Sequence, residues 1–185
     1  VPRIGVRFRL PASMNQVEYF GRGPAENYLD RNAGSMIGLY KSTAEELYFP
    51  YVRPQENGHH TDTRWVSLST GKKGLLIQAD NTIGFNALRN SIEDFDDEEA
   101  TGLPRQWSNF TPEQVANHDE AAAKNVLRRQ HHINDITPRD FVEVCVDLKQ
   151  QGVAGYDSWG SRPEPAYTLP ANREYNWGFT LIPLK

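Results

Sequence analysis

Histidines are the first residues in this sequence that invite a chemical role, because four of the five occur as adjacent pairs. The pairs are His59-His60 and His131-His132. Adjacent residues of a strand point to opposite faces, so a pair of this kind is poorly suited to hold one metal ion. His59 with Asp62 has the groups to bind a metal or share a proton, but the spacing is not diagnostic. Structural or surface roles are therefore the favoured interpretation.

Two pairs of adjacent glutamates are candidates for the paired carboxylates of a glycosidase. They are Glu45-Glu46 and Glu98-Glu99. On a strand, neighbouring side chains diverge, so neither pair is expected to be catalytic. The second pair belongs to an acidic run within residues 92–105, which is expected to be a solvated surface loop. Its oxygens lack the spacing and the central glycine of an EF-hand calcium loop.

Residues 150–163 carry the most suggestive chemistry, in the sequence QQGVAGYDSWGSRP. Glycines permit tight turns here, and they would display Trp159 with Asp157 and Ser158 on a loop. An exposed indole suits a sugar, because its flat face packs on the C–H surface while polar neighbours bind hydroxyl groups. The alternative is that Trp159 packs inward and pins the loop, and the spacing alone does not decide between the two.

The elements that must position these residues follow a period of two, which is typical of half-buried strands. Gly and Pro turns separate many short strands, so an all-β antiparallel sandwich with a single domain over 1–185 is expected. One short helix is predicted at 112–117, where Thr111 can cap and Pro112 starts the first turn. The predicted strands span 3–10, 17–20, 36–40, 63–68, 74–79, 83–88, 141–148 and 175–181.

Within these strands, alternation predicts which side chains face the core. In 3–10 the apolar residues are expected inward, and Arg3, Arg7 and Arg9 on a wet face. In 141–148 the valines are expected inward, with Glu143 and Asp147 outward. Strand 175–181 is expected to place Tyr175, Trp177, Phe179 and Leu181 on one face.

Composition excludes several classes of protein. The chain has 185 residues and a formal net charge of −4, without the basic surface that nucleic acid or an anionic membrane requires. A single cysteine, Cys145, excludes an internal disulfide framework and a cysteine-based zinc cluster. The low cysteine content favours the cytoplasm over the periplasm without deciding between them. Val1 is not a start methionine, so the chain is expected to be a piece of a longer protein.

Three blocks of this sequence resemble motifs of one enzyme family. Residues 152–159 (GVAGYDSW) resemble the pattern G-x-G-G-D-[DN]-S-W, with Ala-Gly-Tyr where Gly-Gly-Asp is usual. Residues 21–31 (GRGPAENYLDR) resemble G-x-G-P-x-E-N-Y-x-D-R, and residues 51–65 resemble Y-V-x-P-Q-E-N-G followed by R-W. All three are similar to motifs near the C-terminus of large β-galactosidases of glycoside hydrolase family 2, in the same order.

The resemblance implies a C-terminal domain with an antiparallel β-supersandwich of the galactose-mutarotase-like type, lacking its first strands. It implies that the whole enzyme hydrolyses terminal β-galactosides such as lactose with retention, and forms homo-oligomers. The catalytic glutamates and the Mg²⁺ and Na⁺ ligands would lie in other domains, chiefly a barrel. This chain alone would then be inactive and would hold no catalytic residue, no metal and no cofactor. Trp159 would stack on the aglycone sugar, with Asp157 and Ser158 beside it.

Two other functions remain open from the residues. The same aromatic loop would serve a free-standing carbohydrate-binding module. An aldose 1-epimerase is less favoured, since it needs a Glu base beside histidine acids, and Glu56 with His59 or His60 is the one nearby set. The remaining motif charges are interpreted as structural ion pairs that fix loops, namely Glu26 and Asp30 with Arg31, and Glu56 with Arg64.

Overall fold

The computed structural model describes residues 1–52, 54–95, 133, 136–157 and 159–185. Its strands confirm the predicted all-β class and form one antiparallel sheet. The order across the sheet is β1-β6-β5-β4-β2-β3, and β7 also pairs with β5. The strands are β1 (Arg3–Pro11), β2 (Gln16–Gly23), β3 (Met36–Thr43), β4 (His60–Ser69), β5 (Gly74–Leu88), β6 (Phe141–Gln150) and β7 (Phe179–Leu184).

The chain divides into two compact units. The first comprises Val1–Phe49, Asn57–Arg89 and Arg139–Lys185, and it contains the whole sheet. Its fully buried apolar side chains come mainly from β2, β4, β5 and β6. Burying each of them contributes about 1.5–3 kcal/mol relative to exposure. The largest are Val17, Tyr19, Val66, Leu68, Ile77, Phe85, Val142, Val144 and Val146.

Strand β5 corrects one prediction, because the segments predicted at 74–79 and 83–88 are a single strand, Gly74–Leu88. The polar residues between the two segments are exposed but remain within the strand. On one side, β5 changes partner along its length: Gly74–Ala79 pairs with β7, and Gly84–Leu88 pairs with β6. A sequence pattern that shows only alternation and polarity does not reveal such a change of partner.

Strand β7 begins later than predicted, at Phe179 rather than Tyr175. Its pairing with β5 ends at Ala79–Phe179, beyond which one backbone bond joins the Asp80 N–H to the Gly178 carbonyl. At the end of the row predicted to share one face, Leu181 is 49% exposed. Trp177 still packs near Phe179, with ring centroids 5.4 Å apart.

The wet face predicted for β6 is wrong in the structure, whereas Arg7 and Arg9 of β1 are exposed as predicted. Glu143 and Asp147 are both buried, at 3% and 0% exposure. Arginines of the neighbouring strand neutralise them: Arg7 Nε and Arg9 Nε lie 3.0 and 3.1 Å from the Glu143 carboxylate. Arg3 Nε lies 3.1 Å from Asp147 Oδ2. The carboxylates of β6 thus form buried ion pairs with arginines of β1 instead of a solvated face.

The second unit comprises Pro50–Glu56 and Asn90–Pro138. In its described part, Ile92–Asp94 forms a short 3₁₀ turn, and the Ser91 N–H donates to Asp94 Oδ2 at 2.9 Å. Asp94 and Phe95 are 4% exposed, so these two residues of the predicted surface loop are buried, whereas Glu93 is exposed. Residues 96–105 and the predicted helix at 112–117 lie outside the described residues. None of the described helices is long and apolar enough to span a membrane.

Candidate functional site

The strongest site candidate is residues 151–163, the tryptophan loop, which directly follows β6 (Phe141–Gln150). Trp159 is 93% exposed, so the alternative in which its ring packs inward is wrong for this structure. Tyr156, three residues earlier, is 58% exposed. An indole held in water keeps its whole apolar face free for a partner surface.

Hydrogen bonds to side chains and two glycines with positive φ shape the turn on which the indole is exposed. The Trp159 N–H donates to Asp157 Oδ1 at 2.7 Å, and the Tyr156 N–H donates to Ser161 Oγ at 3.1 Å. Gly155 and Gly160 have φ values of +83° and +78°, a conformation that glycine adopts without strain. One oxygen of Asp157 is thus engaged in shaping the turn, while the role of Asp157 toward a sugar stays a prediction. Ser158 lies outside the described residues.

The base of the tryptophan loop is held by Asp30, a residue distant in sequence. Its Oδ1 accepts the Val153 N–H at 3.0 Å, and its Oδ2 accepts the Ala154 N–H at 2.8 Å. Sequence reasoning assigned Asp30 to an ion pair with Arg31, whereas Arg31 Nη2 lies 3.1 Å from Glu26 Oε1. The Glu26–Arg31 pair is therefore confirmed. The loop-holding role of Asp30 was missed, since bonds to backbone groups leave no pattern of side-chain types.

The two upstream motif blocks are tied together by buried polar groups. The Gly58 N–H donates to Glu26 Oε2 at 2.7 Å. Asn27 is fully buried, and its Oδ1 accepts the Thr61 N–H at 2.9 Å while its Nδ2 donates to the Arg22 carbonyl at 3.1 Å. These contacts fit the structural interpretation of both blocks. The pairing proposed for Glu56 with Arg64 stays a prediction.

His59 and His60 are both 1% exposed, which confirms a structural role for this pair. Nδ1 of His59 lies 2.8 Å from Asn86 Oδ1, and His60 Nδ1 lies 3.0 Å from the Gly58 carbonyl oxygen. Burial lowers the pKa of His59 to about 3, and it also lowers the pKa of His60. Such neutral, buried rings offer little to an epimerase.

The suggested partnership of His59 with Asp62 is wrong, because each has another partner. Asp62 Oδ2 lies 2.5 Å from Arg22 Nε. In the part of the chain that the structure describes, no three His, Cys, Asp or Glu side chains cluster in a way that could hold a metal ion. The second histidine pair lies outside the described residues.

The Glu45-Glu46 pair has structural partners, as expected for residues outside the catalytic site. Glu45 Oε1 accepts a bond from Arg89 Nη1 at 2.5 Å. Glu46 Oε2 accepts the Thr43 N–H at 3.1 Å, and the Glu46 N–H donates to Thr43 Oγ1 at 3.2 Å, which closes a local turn. The Glu98-Glu99 pair lies outside the described residues.

Comparison with known proteins gives the same family as the motifs. The family model described as "Beta galactosidase small chain" matches residues 1–181. A β-galactosidase of Priestia megaterium is 35% identical over 185 residues, which are 100% of this chain and 15% of the relative. Those of Arthrobacter sp. strain B7 and Vibrio cholerae are 41% identical over 99 residues and 29% over 181. These matches cover 50% and 98% of this chain, and 10% and 14% of the respective relatives.

The chain thus spans about a seventh of the length of the curated relatives that it matches over nearly its whole length. Those relatives are glycoside hydrolases by name, and the family match covers all three motif blocks and every strand except the end of β7. The chain belongs to the β-galactosidase small-chain family.

Proposed function

We propose that the full-length protein containing this chain hydrolyses terminal β-galactosides with retention, and that this chain supplies scaffold and an aglycone subsite. The observation that carries the proposal is Trp159, whose indole is 93% exposed on a loop held by defined hydrogen bonds. Family membership and the names of the relatives support the reaction. The motif resemblance supports the role of the loop.

The physical basis is the match between an indole face and a sugar ring. A pyranose presents C–H groups on one face and hydroxyls at its edge. The indole of Trp159 would cover the C–H face, and Asp157 and Ser158 would take hydroxyls. The bound partner would be the aglycone sugar of a lactose-like galactoside. A flat aromatic contact suits this role, since it tolerates different linkages better than a closed set of hydrogen bonds.

Catalysis itself would occur in the remainder of the polypeptide. A retaining glycosidase uses two carboxyl groups about 5–5.5 Å apart, one as nucleophile and one as acid and base. Among the described residues, Glu45, Glu46, Glu143 and Asp147 are engaged in hydrogen bonds or ion pairs of the fold. We therefore place both catalytic glutamates, with the Mg²⁺ and Na⁺ ligands, in a barrel and other domains of a homo-oligomeric enzyme.

Replacing Trp159 with alanine in the full-length protein tests this function. The substitution removes the stacking surface, so we expect glucose, the aglycone of lactose, to inhibit about fivefold more weakly, a loss of about 1 kcal/mol. Transfer of galactose to glucose should fall relative to hydrolysis. Glucose inhibition and transfer to glucose are both measured with nitrophenyl β-galactoside as the substrate. Its hydrolysis reports on the catalytic site, and the inhibition of that hydrolysis by glucose reports on the subsite.

The matched control is Met36→Ala, which removes another exposed apolar side chain, 71% exposed at the start of β3. This variant should leave the inhibition constant of glucose unchanged. Equal inhibition of the wild type and Trp159→Ala would contradict the assignment of the subsite.

A further inference from the structure

We infer that Asp30 is the positioning residue of the tryptophan loop, and that its carboxylate sets where the Trp159 indole stands. The inference rests on the proposed function and adds to it a specificity-determining residue from a separate motif block. Asp30 lies 123 residues from Val153 in sequence, and it touches the loop without being part of it.

Three consecutive backbone N–H groups fix the beginning of the loop. The Gly152 N–H donates to the Tyr167 carbonyl at 2.8 Å. The next two, of Val153 and Ala154, donate to the two oxygens of Asp30 at 3.0 and 2.8 Å. Bonds to an ionised carboxylate are roughly twice as strong as those between neutral groups. The two bonds to Asp30 therefore hold the loop more strongly than the bond to the Tyr167 carbonyl.

The approach of Asp30 to the loop is also sterically specific. A Cβ atom on Gly152 would stand 2.4 Å from Asp30 Oδ2, so only glycine allows this contact without a shift. Immediately after the anchor, Ala154 and Gly155 have φ values of +55° and +83°. These residues redirect the backbone toward the indole. The direction in which Trp159 projects is therefore set by a turn that starts at the Asp30 carboxylate.

The turn that carries Asp30 is itself fixed by backbone hydrogen bonds and by an ion pair. Tyr28 and Arg31 exchange backbone hydrogen bonds of 3.3 and 2.8 Å around it, which closes a tight turn. Arg31 pairs with Glu26, and Glu26 in turn accepts the Gly58 N–H. These contacts hold the Asp30 carboxylate in place. A residue must be held in this way if it is to position a second residue, here Trp159, for binding.

The test compares Asp30→Ala with Asp30→Asn in the full-length protein. Alanine removes both acceptors, so amide hydrogen exchange in residues 152–160 should accelerate about tenfold or more. Glucose inhibition should weaken about fivefold, to the level of Trp159→Ala. Asparagine keeps one acceptor, so we expect partial rescue of both measurements. The double variant Asp30→Ala/Trp159→Ala should bind glucose no more weakly than Trp159→Ala alone.

Glu18→Ala is the matched control, because Glu18 pairs with Lys41 at 3.3 Å on β2 and β3, and its removal should change neither measurement. Unchanged exchange in residues 152–160 of Asp30→Ala would overturn the inference. So would additive losses in the double variant, since a residue acting through Trp159 cannot add to its deletion. Accelerated exchange together with a Trp159→Ala variant of normal glucose inhibition would instead uphold the anchor and overturn the proposed function.

Discussion

Two buried neutral histidines make the fold sensitive to acid. His59 stacks on Tyr28 with ring centroids 5.6 Å apart, and His60 packs edge-on against Tyr19 at 4.9 Å. Burial is the largest influence on both rings, and it disfavours the charged imidazolium. In His59 the nearby charge of Arg3 acts in the same direction, whereas the hydrogen bond that the His59 Nδ1–H donates to Asn86 Oδ1 acts in the opposite direction.

The free energy of unfolding should therefore fall as the pH drops below 6.5. The unfolded chain takes up a proton on His59 near its ordinary pKa of 6.5, whereas the folded chain resists protonation until about 3. His59 removes up to about 1.4 kcal/mol of stability per pH unit within that window, and His60, whose pKa burial also lowers, acts in the same direction. Urea unfolding at pH 7.5 and 5.5, followed by tryptophan fluorescence, measures the change.

The variant His59→Gln provides the control for this slope. Glutamine does not titrate, so the variant should be less stable at pH 7.5 but should lose less stability on acidification. If the urea midpoint of the wild type were the same at both pH values, the prediction would be contradicted, because protonating these histidines would then cost no stability.

The residues of the site differ in how far they were predictable. The glycine-rich loop that carries Asp157 and Trp159 follows from local sequence, because glycines permit tight turns there. Asp30 does not, since its partners are backbone N–H groups of a distant segment and no side-chain pairing marks them. The direction of Trp159 itself required the structure.

Among the strands, β6 shows where the alternation of apolar and polar side chains gives a wrong prediction of exposure. Its sequence places valine at every second position from Val142 to Val146, yet every residue from Val142 to Asp147 is buried. The cause is β1, whose arginines lie over Glu143 and Asp147. The existence of most strands was predictable from alternation. The joining of two predicted segments into β5 was not predictable, and neither was the burial of the β6 carboxylates by the arginines of β1. Both depend on which strands become neighbours.

The arginines of β1 should differ in their contribution to stability. Asp147 has 1% side-chain exposure and Arg3 18%, so Arg3→Met would leave a buried carboxylate poorly compensated, at a cost of about 3–5 kcal/mol. Arg9 is 53% exposed, and Glu143 keeps Arg7, so Arg9→Met should cost about 1 kcal/mol or less. Urea unfolding of both variants compares them. Equal losses would contradict this ranking.

At the scale of the whole molecule, the chain represents about 15% of the relative from Priestia megaterium. A sheet with its own buried core fits a scaffold, and the exposed indole of Trp159 on a loop held by Asp30 fits a contribution to a site completed elsewhere. The family was predictable from three motif blocks in order. The complete site was not, because the catalytic groups are proposed to lie in other parts of the polypeptide.

The most direct test of this division of labour is the structure of the full-length protein with a non-hydrolysable lactose analogue bound. The account predicts the indole face of Trp159 within about 4–4.5 Å of the C–H groups of the glucose ring, with the galactose ring between two glutamates of another domain. An indole buried against a neighbouring domain, or remote from the bound sugar, would contradict the account.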